Sequence, residues 1–189
     1  MSIVQCTTLG RLGRWGNQLF QYAFVKKYAL TVGAQLEIPP WLGEDLFGTE
    51  ERRISRALVR TALDEIPWGR TDVDLFGYFQ TQECLDLLSR RELRRWFTLR
   101  GGFPHLFAKR SPFYVACHLR RSDYQTHYSD RYCVVARESY VQQLRKLGVD
   151  DSDVIWVSAD GGGGTNGFLR RYGVQFLEDF FTLVNADVL

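Results

Sequence analysis

Short apolar runs alternate with stretches of helical period along most of the chain. SIVQC, at residues 2–6, is an apolar run suited to a buried strand. The glycine-bearing stretch LGRLGRWGNQ follows it. Leu19, Phe20, Ala23, Phe24 and Lys27 then recur at helical spacing and predict an amphipathic helix of roughly four turns. AQLEI alternates like a strand and stops at Pro39 and Pro40, which cannot donate to a sheet ladder. The Arg-rich segment from Glu50 to Leu63 is predicted helical. Asp74 to Gln80, DLFGYFQ, is predicted as a strand. Gln82 to Phe97 is predicted helical, with Leu85, Leu88 and Leu93 as its apolar stripe. Gly101, Gly102, Pro104 and Pro112 then interrupt the pattern and mark a connector.

A second series begins beyond it. FYVACHL reads as a strand, Glu138 to Leu147 as a helix and DVIWVSAD as a strand. A helix over about residues 165–172, a short strand or turn at VQFLED and a helix-like FFTLVNADVL complete the chain. Strands alternating with helices argue for parallel sheets built from βαβ units. The expected class is therefore α/β, with two Rossmann-like halves meeting near Gly101. No repeat of fixed period is present. GGGG, at residues 161–164, is the one low-complexity tract.

The chain has 189 residues, 45% of them hydrophobic and 14% aromatic, which is a globular composition. Its formal net charge of +2 creates no global field toward nucleic acid or membrane. Arg far outnumbers Lys. That bias suits phosphate binding, and a GC-rich coding sequence would produce it equally well. The four cysteines, Cys6, Cys84, Cys117 and Cys133, form no CxxC pair and read as reduced thiols of a cytosolic protein. The start MSIVQC has no basic leader ahead of an apolar core, and no apolar run is long enough to span a membrane, so a cytoplasmic location is expected. The three histidines are scattered, and no HExxH, Walker loop, GxSxG elbow or DxD pair occurs.

In open α/β sheets ligands bind beyond the carboxyl ends of the strands. Three segments meet that condition. HLRRSDY, at residues 118–124, concentrates charge at the end of a buried strand. If the strand continues, Arg120 and Arg121 point in opposite directions, so one can reach a ligand while the other braces the loop through Asp123. The guanidinium fork suits a diphosphate. A solvated loop with a surface ion pair is the simpler alternative, and His118 could equally be a satisfied core histidine. In GRWGNQLFQYA, Gly13 and Gly16 allow tight turns while Asn17 and Gln18 open a helix, with Asn17 suited to be its N-cap. The spacing is not GxGxxG, and Phe20, Tyr22 and Phe24 are expected in the core. In SADGG, Ser158 and Asp160 could hydrogen-bond a ribose, base or phosphate, or cap the next helix. The basic residues of ERRISRALVR and SRRELRRWFTLR recur opposite apolar ones and read as solvated faces, with nucleic-acid contact the competing role.

Four blocks in order, GRWGNQLFQYA (13–23), GYFQTQECL (77–85), HLRRSDY (118–124) and VSAD (157–160), resemble the α1,2-fucosyltransferases of glycosyltransferase family 11. That family typically shows GxLGNQLFQYA, GYFQSEKY, HIRRGDY and FSDD. The resemblance covers nearly the whole chain. It implies a GT-B-like fold, with an N-terminal Rossmann-like lobe over residues 1–110 carrying the GNQ loop on the acceptor side. Residues 111–189 would begin the lobe that binds the GDP-sugar. The implied activity is inverting transfer of L-fucose from GDP-fucose to a galactose-type hydroxyl of a glycan, with no metal or other cofactor.

Carried over by position, Arg120 would grip the β-phosphate and stabilise departing GDP, with Arg121 and Asp123 in support. His118 would lie against the nucleotide. Gly16, Asn17 and Gln18 would approach the diphosphate or sugar from the other lobe, and Ser158 and Asp160 would line the donor site. A carboxylate paired with arginines has a depressed pKa, which disfavours Asp123 as a base. Asp160 is left as base or nucleotide contact. Partners are then a small-molecule donor and a glycan acceptor, with no nucleic acid, no transmembrane segment and a peripheral membrane contact at most. Ser122 replaces the family's glycine, Trp15 its leucine, and VSAD lacks one carboxylate of FSDD. The family continues beyond NADVL with a stretch resembling NSSFSWWGAWL. The resemblance therefore implies a chain lacking its C-terminal part, and a non-catalytic nucleotide-sugar-binding remnant is the alternative.

Overall fold

The computed structural model describes residues 1–101, 114–119, 133–158, 180–181 and 183–186, and for Ser158 the backbone alone. The protein is mixed α/β with parallel sheets. It divides into two compact units, Met1–Gly101 and Gly102–Leu189.

In the first unit, β1 (Ile3–Gln5) leads through a glycine loop into α1 (Trp15–Thr31) and then β2 (Gln35–Glu37). Next come α2 (Leu42–Phe47), β3 (Val59–Arg60), β4 (Val73–Asp74), α3 (Gln82–Asp86) and α4 (Arg90–Trp96). The four strands form one parallel sheet in the order β2-β1-β4-β3. Its register places Leu36, Val4, Val73 and Val59 on one rung and Glu37, Gln5, Asp74 and Arg60 on the next. The first rung is apolar and buried except at the edge, where Val59 is 82% exposed. The second is polar and closes the carboxyl end of the sheet.

Helix α1 is longer than its apolar stripe requires because it is buried on most sides. Trp15, Tyr22, Phe24 and Tyr28 are almost wholly enclosed. Phe24 stacks on Phe79 at 4.5 Å and Tyr22 on Trp41 at 4.9 Å. Full burial of a side chain such as Phe24 stabilises by about 1.5–3 kcal/mol. Phe20 departs from the expected core and is 38% exposed. The helix stops at Val32, and Gly33 follows with a positive φ of 64° that releases the chain toward β2.

Three expectations are corrected here. Residues 50–63 are not helical. Instead Arg52 bridges Glu37 in parallel, Ile38 N donates to Arg52 O, and Val59–Arg60 pairs with β4. Sheet-edge hydrogen bonds outweigh the helix propensity of the arginines. The strand expected over Asp74–Gln80 ends at Asp74, because Asp64 captures the segment beyond it: Asp64 N donates to Phe76 O, and Asp64 Oδ1 accepts from Tyr78 N and Phe79 N. The helix expected over residues 82–97 is two. Ser89 accepts from Glu92 N while Glu92 reaches back to Ser89 N, a capping box that starts α4 afresh.

In the second unit, β5 (Val115–Leu119) and β6 (Val154–Ser158) pair in parallel, with His118 opposite Val157 and Leu119 opposite Ser158. Helix α5 (Arg137–Lys146) lies between them in sequence. Val115, Leu144 and Val154 form its core, with Cys117, Val149 and Trp156 packed against them. Asp151 accepts from both Arg137 and the Trp156 indole N–H, and the Arg137 guanidinium stacks 4.5 Å from that ring. Phe180, Phe181, Leu183 and Val184 are helical. The helix expected near residues 165–172 and the VQFLED strand lie outside the described residues. Among the described residues no helix is long and apolar enough to cross a membrane.

Candidate functional site

In the first unit the candidate site is built on the glycine loop after β1. Gly13, at φ +71°, turns the chain into α1. A Cβ there would lie 2.5 Å from Asn17 Nδ2 and 2.9 Å from Tyr78 Cε1, so only glycine fits. The helix then begins with Arg14 as N-cap, contrary to the expectation that Asn17 caps it. Asn17 instead lies in the first turn. Its Oδ1 accepts from Gln80 Nε2 at 2.9 Å, which leaves the amide's donor end uncommitted to that bond.

Two glutamines of α1 hold the loop from beneath. Gln21 Nε2 donates to Leu12 O at 2.9 Å, and Gln18 Nε2 lies 3.4 Å from Gly13 O. Gln18 is buried, so its side chain braces the loop and does not face solvent. Gly16 is exposed, and a Cβ built on it would meet nothing within 4 Å. The first turn of α1 contains no acid of its own to offset the positive end of the helix dipole.

The GYFQ segment approaches from the other side. Gly77 lies against Asp64, where a Cβ would come within 2.3 Å of Oδ1. Phe79 is held at φ +54° although it carries a bulky side chain. Such a conformation costs about 1–3 kcal/mol and persists only where its surroundings enforce it. Here Asp64 binds the backbone of Tyr78 and Phe79 while the Phe79 ring is buried against Phe24. The result presents Tyr78 and Gln80 to Gly13 and Asn17. Two blocks far apart in sequence are thereby brought together at the carboxyl edge of a parallel sheet.

Beneath this edge lies a polar network that the sequence reading missed. Asp74 accepts from Thr7 N at 2.9 Å, from Thr7 Oγ1 at 2.6 Å and from Arg60 Nε at 3.0 Å. Glu37 accepts from Gln5 Nε2 at 2.8 Å, Ser55 N at 3.0 Å and Ser55 Oγ at 2.7 Å. Burial pushes the Glu37 carboxyl up, but the bonds from Ser55 and Gln5 and the charge of Arg56 outweigh it and hold it below the usual range. The available signal was a lone acid at the end of an apolar run, in AQLEI and ahead of LFGY.

In the second unit His118 is exposed near the carboxyl end of β5. Alternation sets it on the face opposite Val115 and Cys117, which pack with α5. The Ser158 backbone ends β6 on the next rung. Arg120, Arg121, Asp123 and Asp160 lie outside the described residues. Among the described residues no three His, Cys, Asp or Glu side chains are grouped to hold a metal ion. No protein-family model matches the chain, and no curated protein matches it.

Proposed function

We propose that the protein is a metal-independent, inverting fucosyltransferase that moves L-fucose from GDP-fucose to a galactose-type hydroxyl of a glycan. On this reading the two units are the two lobes of a GT-B-like enzyme. The observation that carries it is the meeting of Gly13, Asn17, Tyr78 and Gln80, since these residues belong to two of the four blocks on which the resemblance rests. The second unit adds a parallel pair whose carboxyl ends lead directly toward the other two blocks.

In the proposed reaction the acceptor oxygen attacks the anomeric carbon of fucose and the bond from that carbon to the β-phosphate oxygen breaks. The electron pair leaves with GDP, and the acceptor proton passes to a base. Negative charge grows on the diphosphate as this happens. Arg120 stabilises that charge, and Arg121 and Asp123 hold it in place. His118 and Ser158 bound the nucleotide side, with Asp160 beyond them. Asn17 and the first turn of α1 offer N–H donors to the sugar or diphosphate.

The test is a GDP-release and transfer assay with GDP-fucose and a galactose-terminated acceptor, with and without chelator. The expected result is chelator-insensitive transfer that falls by roughly 10²–10³ in Arg120→Ala. Unchanged turnover in that variant would remove Arg120 from the mechanism. Binding of GDP without transfer would leave the non-catalytic remnant as the better description.

A further inference from the structure

Helix α4 carries four arginines that no step above uses. At 3.6 residues per turn, Arg90, Arg94, Arg91 and Arg95 fall on adjacent lines covering an arc of about 140°. Glu92, Trp96 and Leu93 take the remaining arc. Burial follows the same division: the four arginines are exposed, and Trp96 is buried. Glu92, the one acid in the helix, is already engaged by Lys27 Nζ at 2.6 Å and by Ser89 Oγ at 2.7 Å. Among the described residues none of the four guanidiniums has an ion-pair partner.

A cavity of about 450 Å³ opens beside this arc; Leu87 and Leu88 line it together with Lys27, Asp86, Arg91 and Arg95 among its polar residues. Of its acids, Glu92 is paired with Lys27 as above, while Asp86 accepts from the Gln82 amide at 2.7 Å and keeps its charge. Arg91 and Arg95, one helical turn apart, are the cations left to face an incoming anion.

We propose that this face of α4 docks on an anionic phospholipid bilayer, with Arg91 and Arg95 taking one headgroup phosphate at the cavity. Charge complementarity selects that partner. The guanidinium fork pairs with phosphate oxygens, and a bilayer surface offers many phosphates at once to the four such groups along this arc. Single-stranded nucleic acid would call for exposed rings among the cations, and the one ring on α4 is buried. The chain's small net charge does not oppose bilayer docking, because attraction to a charged surface acts over about one Debye length, roughly 8–10 Å. The proposal is independent of the transferase reading and stands or falls without it.

Vesicle co-sedimentation of the full chain tests it, with phosphatidylcholine vesicles containing phosphatidylglycerol compared with phosphatidylcholine alone. The wild type is expected on the anionic vesicles only, and to be released by salt. R91Q/R95Q is expected to weaken binding about 25-fold, since each arginine contributes about fivefold. R70Q/R145Q removes the same charge from exposed sites elsewhere and is expected to change binding less than about twofold. Circular dichroism verifies that both pairs fold. Equal binding to neutral vesicles, wild-type binding by R91Q/R95Q, or equal losses in both pairs would each overturn the proposal. So would displacement by inorganic phosphate beyond that of chloride at matched ionic strength, which would mark an isolated anion pocket. RNA binding that depends on Arg91 and Arg95 without vesicle binding would assign the face to nucleic acid instead.

Discussion

The Asn17 carboxamide accepts a 2.9 Å hydrogen bond from the Gln80 side chain across 63 residues of sequence. It does so only because Gly13 leaves the space in which Asn17 sits. Gly13→Ala would place a methyl group 2.5 Å from Asn17 Nδ2 at a backbone angle unfavourable to alanine. The expected loss is about 1–3 kcal/mol in urea unfolding, together with the Asn17–Gln80 contact. Gly16→Ala is the contrast. Its methyl group meets nothing, so stability is expected to hold or rise by about 0.5–1 kcal/mol. If the donor approaches this turn as proposed, Gly16→Ala weakens GDP-fucose binding without weakening the fold.

Asp74 and Arg60 are partners of unequal importance. The Asp74 side chain is 5% exposed and that of Arg60 is 49% exposed. Asp74→Ala leaves the Thr7 N–H and hydroxyl without their acceptor at the base of the glycine loop. A loss of about 2–3 kcal/mol is expected. Arg60→Gln gives up a half-solvated pair and is expected to cost at most about 1 kcal/mol. Equal costs in denaturant melts would show that the ion pair, and not the loop anchor, sets the value of Asp74.

Glu37 gives the protein an acid sensitivity with a definite sign. Its folded pKa lies below the ordinary carboxylate value, so the fold favours the ionised form. That stabilisation is complete above about pH 4.3 and is lost as pH falls through the lower folded value. Glu37→Gln is expected to flatten the acid limb of stability against pH. It should also cost about 2 kcal/mol at neutral pH, because an amide donor would face the Ser55 and Gln5 donors. An unchanged acid limb in the variant would assign the sensitivity to another group.

The thiols should separate by accessibility. Burial pushes Cys6 up to about 12 and also raises Cys84 and Cys117, whereas Cys133 is exposed. A disulfide reagent near pH 8 is expected to modify Cys133 rapidly and Cys117 slowly. Cys6 and Cys84 should react only after denaturation. Fast modification of Cys6 in the folded protein would contradict its enclosure beneath the glycine loop.

Legibility in the sequence followed the range of the forces involved. The runs SIVQC, VACHL and VIWVS gave strands where expected because apolar runs of that length have few other ways to be buried. The α5 helix likewise appeared where its period placed it. Residues 50–63 look helical in sequence because arginine favours helices locally, while the decisive bonds from Glu37 and Gln5 come from distant strands. DLFGYFQ has the pattern of a continuous strand because nothing within it announces Asp64. The pairing of Asn17 with Gln80 follows from the register of the sheet and the left-handed backbone at Phe79, and neither leaves a periodic trace. Glu37 and Asp74 escaped notice because single acids are ordinarily solvent-facing, and only the fold buries them.

The shared rung of Glu37, Gln5, Asp74 and Arg60 has a practical consequence for redesign. All four strands terminate level with one another on a polar rung whose two carboxylates are held by Thr7, Arg60, Ser55 and Gln5. The connections that supply Thr7, Ser55 and the Arg56 carbonyl belong to this rung, and an exchange that drops them strips its acids and Gln5 of their partners. Redesign of the loops above the sheet therefore begins by keeping Thr7 and Ser55 in place.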